Sequence, residues 1–427
     1  MMEHILAKET AFIYSLQNYF HNNDKFLLFF SHLGDAKLII FVYFPILYVF
    51  NKILGVYIVW LTIFADWINF MIKWVLRSPR PYWWVHVTDY YVKATSIFPH
   101  LRHFPITCET GPGNPSGHMM VSTAVYLGLV YYLCYKSTNF CSPGKRQYFR
   151  LIAYTLFAMI LVGIGLSRLY IAAHFPHQLL FGMIGGIAAW YIATFFYCPR
   201  LTTCALLPLS GLVLYHSLHL LDLKPDHSIH MAFKYCALRS FVNFNTNPLV
   251  SLARSVGTLL GLCISSLLNV TNKSGCLTNS YKMCEDVGKN GHLEQEEKEN
   301  DILDQNYRMY KNNGNHVNEH SYRRKKYGSI WERFDNFPFK HFRANLLNIN
   351  KSLFSYQDLV NDRRISPHQS YQLIRHIVGL ILSVTVGLLY FFSPSPVLPT
   401  WPHAVYIFTL LKFASFTLII SGLIPKL

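Results

Sequence analysis

The chain reads as an all-α, polytopic membrane helix bundle, and three observations predict it. Hydrophobic residues make up 52% of its 427 positions and charged residues only 14%, against roughly 25% charged in a soluble domain. Apolar runs approaching the ~20 residues that span a hydrocarbon core recur along the chain. Short polar connectors separate most of them, and within lipid a helix satisfies its own backbone polar groups. Together these exclude a disordered chain and a small disulfide-stapled secreted domain. The formal charge of +16 fits the Lys and Arg that polytopic proteins collect in their loops, so no nucleic-acid partner is expected.

About nine transmembrane helices follow from the hydropathy, at roughly 29–50, 53–72, 118–136, 149–167, 178–198, 205–222, 248–268, 372–392 and 404–425. The N-terminus, MMEHILAKETAFIYSLQNYF, lacks the basic and small-residue features of a cleaved signal, so the first span is expected to target the chain. Two intervals break the rhythm. Lys73 to Gly117 is rich in Trp, Tyr, Pro and His, whereas 269–370 is first acidic and then basic, with the run Arg323-Arg324-Lys325-Lys326. Low hydrophobicity without periodicity predicts a disordered loop there. The expected organisation is a membrane core over 1–268, a charged loop over 269–370, and the last two spans over 371–427. Nine cysteines are scattered without metal-ligand spacing; read as small hydrophobes, they fix no redox compartment.

Three clusters carry chemistry. Lys73 and Arg80-Pro81 form K-x6-R-P after the second span, Pro115-Ser116-Gly117-His118 opens the third, and Ser167-Arg168-x5-His174 joins the fourth to the fifth. Span parity brings all three to one membrane face. Lys73, Arg80 and Arg168 offer fixed positive charge, and the two guanidinium groups present planar forks suited to phosphate oxygens. His118 and His174 are placed at helix N-terminal mouths, where free N–H groups and the dipole favour an anion. Ser116 and Gly117 flank the same mouth, with Gly117 leaving room for phosphate beside the backbone. An anion cradle with two imidazoles is what phosphoryl transfer needs: a nucleophile, a proton donor and charge stabilisation. A lone Lys at a span end is ordinarily a topology anchor and a lone loop His ordinary polar surface; the ordered set is what points to a site.

These three blocks resemble the signature of the type-2 phosphatidic acid phosphatase and haloperoxidase superfamily. The text Arg80-Pro-Tyr-Trp-Trp-Val85, Phe104-Pro-Ile-Thr-Cys-Glu-Thr-Gly-Pro-Gly113 and Ala172-Ala-His-Phe-Pro-His-Gln178 is similar to the glucose-6-phosphatase catalytic subunit family. The resemblance implies His174 as the nucleophile of a phosphohistidine and His118 as the group that protonates the sugar oxygen and later activates water. It assigns phosphate binding to Lys73, Arg80, Arg168, Ser116 and Gly117. Gln178 stands where the wider superfamily has an Asp to orient the nucleophile, a departure that the glucose-6-phosphatase branch shares. Glu109, beside the site, is a candidate for the sugar hydroxyls. No metal or other cofactor is expected.

The long charged loop and the Lys and Arg flanking spans three and four fall on the face opposite the site, so the positive-inside rule makes that face cytosolic and the site luminal. The resemblance implies an endoplasmic reticulum enzyme that hydrolyses glucose 6-phosphate, supports gluconeogenesis, sits in membrane lipid and works beside a glucose 6-phosphate transporter. The chain ends Ile-Pro-Lys-Leu, without the dilysine signal the family leads one to expect. The rival readings are a lipid-phosphate phosphatase, for which an Asp at Gln178 and fewer spans are expected, and a weakly active paralogue.

Overall fold

In a computed structural model, residues 2–93, 98–137, 142–195, 200–271, 369–392 and 402–423 are described. Nearly the whole charged interval 269–370 lies outside them. The core helices are α1 (Met2–Tyr19), α2 (Asp24–Leu33), α3 (Ala36–Leu38) running through a π-helical stretch into α4 (Phe44–Phe50), α5 (Lys52–Leu76), α8 (Gly117–Ser137), α9 (Pro143–Tyr170), α10 (Pro176–Phe195) and α11 (Arg200–Leu220). After them come α12 (His227–Tyr235), α13 (Pro248–Thr271), α14 (Gln369–Phe392) and α15 (Pro402–Leu418), while α6 (Pro81–Val87) and α7 (Tyr90–Lys93) sit on the first long connector.

Each of the nine expected spans overlaps a helix among the described residues. Among the described residues, five helices are long and apolar enough to cross a membrane, or six if Asp24–Leu33 and Ala36–Phe50, bent by 57°, form one span. The figure of nine is therefore not reached on length and composition. Two further apolar helices, Ala205–Leu220 and Val378–Phe392, are shorter.

Sequence explains where the main helices begin and end. Asn51 caps α5, its side chain accepting from the Leu54 amide, which occupies one of the donors a helix start leaves free. Arg77 ends that helix in the left-handed region, with φ 44 and ψ 35, turning the chain so that Arg80 comes back over the helix end. Pro81 and Pro176 open α6 and α10 at positions where the missing N–H costs nothing.

Helix α8 packs against α5, α9 and α10. Small residues make the α8–α10 approach close, as in membrane bundles generally: Gly182 and Gly186 face the backbone of Ser116 and Met120, and Ala189 and Ala193 are buried. By contrast only 17% of the apolar window of α9 is buried, and it turns Leu151, Ile152, Leu156, Met159 and Val162 outward, the pattern of a lipid-facing helix. The connectors at one end are tied together. Strand β1 (Cys108–Glu109) pairs in parallel with β2 (Val242–Asn243), and Cys108 is disulfide-bonded to Cys236. This pairing was not readable from cysteine spacing.

Candidate active site

The three sequence blocks meet at one buried point. Three consecutive carbonyls of the Gly111-Pro112-Gly113 turn organise it. Arg80 Nε donates to Gly111 O at 2.6 Å and its Nη2 to Pro112 O at 3.1 Å. Lys73 Nζ, from the last turn of α5, donates to Pro112 O at 2.5 Å. The Gly113 carbonyl lies 2.8 Å from His174 Nδ1. A carbonyl only accepts, so Nδ1 carries the proton and Nε2 keeps the lone pair. Gly113 has to be glycine, because an added Cβ would run into Pro79 O and the Gln178 side chain.

Gln178 performs the remaining alignment, and its amide explains why a carboxylate would not serve. Its Oε1 lies 3.3 Å from His174 Nδ1 and accepts from the Phe175 amide. Its Nε2 donates to Ser78 Oγ at 3.2 Å and Pro79 O at 2.8 Å. Its backbone carbonyl accepts from the Ser116 amide at 3.0 Å. One residue therefore links the Arg80 loop, the Ser116-Gly117-His118 mouth and His174. An Asp has no donors for the first of these links.

Arg168 arrives from the last turn of α9, where the chain turns sharply: Ala172 is left-handed at φ 53, and the Ala173 carbonyl accepts from Arg80 Nη1 at 2.9 Å. Arg168 Nη1 donates to Ser31 Oγ at 2.9 Å, while its buried Nε has no hydrogen-bond partner among the described residues. His118 is the second residue of α8, and His174 precedes α10 by two residues, so both imidazoles do stand at helix N-termini. Gly117 packs tightly, with a Cβ there 3.0 Å from Asn69 Oδ1. The Ser116 hydroxyl is buried, with no hydrogen-bond partner among the described residues. Its amide is engaged by Gln178.

The centre of this arrangement is the carboxylate of Glu109. Its Oε2 lies 2.8 Å from Arg80 Nη1 and 3.6 Å from His174 Nε2. Its Oε1 is ion-paired with Arg168 Nη2 and stands 3.8 Å from His118 Nδ1. The two imidazoles thus address different oxygens of one anion. Burial alone would raise the Glu109 carboxyl, but Arg168 and Arg80 hold it well below the ordinary carboxylate range. Burial and the adjacent Arg80 cation push His174 well below the usual imidazole range, which favours the neutral ring. Arg80 and Arg168 are both ion-paired with this one carboxylate, and Lys73 lies on the same cavity wall.

All eight residues singled out from the sequence come together here: Lys73, Glu109, Gly117, His118 and Arg168 line the cavity, and Arg80, His174 and Ser116 are set back from its wall. Sequence reasoning missed the cavity's other side. Glu109, Lys73, His118 and Arg168 share the cavity with Asp35, Lys37, Asp66, Asn69, Thr246 and Arg254. One signal was available: Asp66, Asn69 and Lys73 are spaced i, i+3, i+7, which puts three polar residues on one face of an apolar span.

Comparison with known proteins identifies the family. Residues 54–200 match the PAP2 superfamily, a span that contains all three blocks. The chain is 33% identical over 275 residues to glucose-6-phosphatase 3 of Homo sapiens, covering 62% of this chain and 76% of that protein. The chain belongs to the glucose-6-phosphatase family. It is also 34% identical over 275 residues to the human glucose-6-phosphatase 2, covering 61% of this chain and 76% of that protein. To the glucose-6-phosphatase catalytic subunit 1 of Rattus norvegicus it is 36% identical over 272 residues, covering 60% and 73%. No solved structure matches the chain. Family membership makes this chain a phosphatase.

Proposed function

We propose that the protein hydrolyses glucose 6-phosphate to glucose and phosphate in the lumen of the endoplasmic reticulum, supporting gluconeogenesis, through a phosphohistidine at His174. The observation that carries this reading is the buried carboxylate at the meeting point of Arg80, Arg168, His118 and His174, since it marks where a phosphate would lie. In the proposed first step the lone pair of His174 Nε2 attacks phosphorus, the bond from phosphorus to the sugar oxygen breaks, and His118 gives that oxygen its proton. In the second, His118 takes a proton from water, the water oxygen attacks phosphorus, and the N–P bond breaks to release phosphate. The imidazoles stand beside different carboxylate oxygens, which suits in-line displacement. Arg80, Arg168 and Lys73 stabilise the equatorial charge, with the helix mouth at Ser116 and Gly117 behind them. Phosphate must displace the Glu109 carboxylate, and the freed side chain then faces the sugar.

The cavity wall, with charged and amide side chains, favours a water-soluble ester over a lipid phosphate, whose tails need an apolar path. The Cys108–Cys236 disulfide beside the site supports a luminal location, because disulfides persist in oxidising compartments. A luminal site in turn requires a carrier to deliver glucose 6-phosphate across the membrane. His174→Ala is expected to abolish both turnover and labelling by ³²P-glucose 6-phosphate in microsomes, and detergent should relieve latency. Persistent labelling of the variant rules out the nucleophile, and equal activity before and after detergent rules out the luminal site.

A further inference from the structure

We infer that the part of the cavity beyond the phosphate cradle is a hydroxyl-recognition chamber for the sugar ring, formed by Asp35, Asn69, Thr246 and the Asp66–Arg254 pair. The inference rests on the glucose 6-phosphate reading and deepens it by naming the residues that select the sugar.

The cavity wall carries two kinds of charge. Lys73 and Arg168 lie on it with Glu109, to which Arg80 is ion-paired, so cations outnumber this carboxylate as a phosphate dianion requires. On the same wall Asp35 and Asp66 are matched by Lys37 and Arg254, a balanced and polar set. A hexose phosphate has the same division, a dianion at one end and a neutral polyol at the other. Helix α5 joins the two parts, since Asp66 lies seven residues before Lys73 on one face, about 10 Å along the axis at 1.5 Å per residue.

The chamber side chains are held as a recognition site requires. Arg254 Nη2 donates to Asp66 Oδ2 at 2.7 Å and to Ser251 Oγ at 2.9 Å, fixing the guanidinium plane. Arg254 is 7% exposed, yet its Nε has no hydrogen-bond partner among the described residues. A buried donor left unpaired is costly, and a ligand hydroxyl would satisfy it. Asn69 Nδ2 donates to Pro115 O at 3.2 Å, which ties the chamber wall to the His118 mouth. Thr246 is anchored to the first connector, its Oγ1 accepting from the Thr110 amide at 3.0 Å. Asp35 caps α3 by accepting from the Lys37 amide at 2.9 Å, so its carboxylate is set by the backbone. The wall thus draws on α3, α5, α13 and the connector before α13, whereas the cradle draws on the three motif blocks.

The test compares glucose 6-phosphate with phenyl phosphate, which uses the cradle and has no hydroxyls for the chamber, in the full-length protein in native membranes. For Asp35→Asn, which keeps the helix cap, and for the charge-neutral double variant Asp66→Asn/Arg254→Gln, the ratio of kcat/KM for glucose 6-phosphate to that for phenyl phosphate should fall at least tenfold. An unchanged ratio in both variants overturns the chamber. Independently of any folding defect, the native protein should lose about tenfold in kcat/KM on at least one monodeoxy analogue of glucose 6-phosphate. Equal turnover of all of them overturns the inference too. A native protein with no preference for glucose 6-phosphate over phenyl phosphate sinks the substrate reading itself, a result distinct from a native preference that the variants leave intact.

Discussion

Two buried carboxylates in this molecule each meet arginine, and they are not alike. Asp66 has one ion-pair partner among the described residues, Arg254, at 2.7 Å, and the pair is balanced. Glu109 lies between two guanidinium groups and two imidazoles, with Lys73 on the same cavity wall. A balanced pair resembles ordinary buried ion pairing, where removing one partner strands the other charge. An overloaded one has the charge of an anion site. On the proposed reading, the contrast separates a wall for neutral hydroxyls from a cradle for a phosphate dianion.

The largest expected effect tests the cradle. Arg80 makes three hydrogen bonds to backbone carbonyls and one ion pair, a geometry that the single ammonium of lysine cannot reproduce. Arg80→Lys should therefore lower kcat/KM about 10²–10³-fold; a loss below tenfold would place the phosphate elsewhere. Next comes Gln178→Asp, which removes the links to Ser78 and Pro79 and should cost about 10–100-fold in turnover. Wild-type rates in that variant would mean that Gln178 does not position His174. Glu109→Gln removes the competing charge from the cradle, so vanadate should inhibit about tenfold more tightly, whereas Asp66→Asn should give no such gain. If both variants or neither tighten vanadate, the contrast between the two carboxylates is broken.

The pH dependence is a gentler probe. His174 must be neutral to attack, and its pKa lies below the free value of about 6.5. As pH falls through 6.5 a free imidazole would already be half protonated, while His174 is not. The acidic limb of kcat/KM, which reports the free enzyme, should accordingly lie below pH 6.5, and a limb above it would show that another group is titrating. The smallest effect concerns Ala172. Glycine there relieves a left-handed residue but deletes a buried methyl, terms of about 1 kcal/mol each and opposite sign. Ala172→Gly should leave the thermal midpoint within a few degrees of wild type.

How much of this was legible depended on what the chemistry demands of side chains. Lys73, Arg80, Arg168, His118 and His174 were readable because phosphate chemistry restricts residue types, and hydropathy marked their carriers as helices. The carbonyls of Gly111, Pro112 and Gly113 were not, since a backbone acceptor leaves no trace in residue identity beyond a turn signal. The Asp66–Arg254 pair spans 188 positions and joins two spans, and nothing local announces it. Cys108 and Cys236, separated by 128 positions, were two of nine cysteines with no spacing to choose among them. Glu109 was noticed for its place beside the site; that it occupies the cradle follows only from three dimensions.

The β1–β2 ladder gives the order of assembly along the chain a practical meaning. Every motif residue has been synthesised by Gln178, yet Cys236, Val242, Asn243, Thr246 and Arg254 come later. A shortened splice product ending after α10 would pass any motif search and still be an open trough, with Cys108 lacking its mate and substrate lacking a back wall. Counting the signature blocks is therefore no measure of whether a transcript encodes a working enzyme.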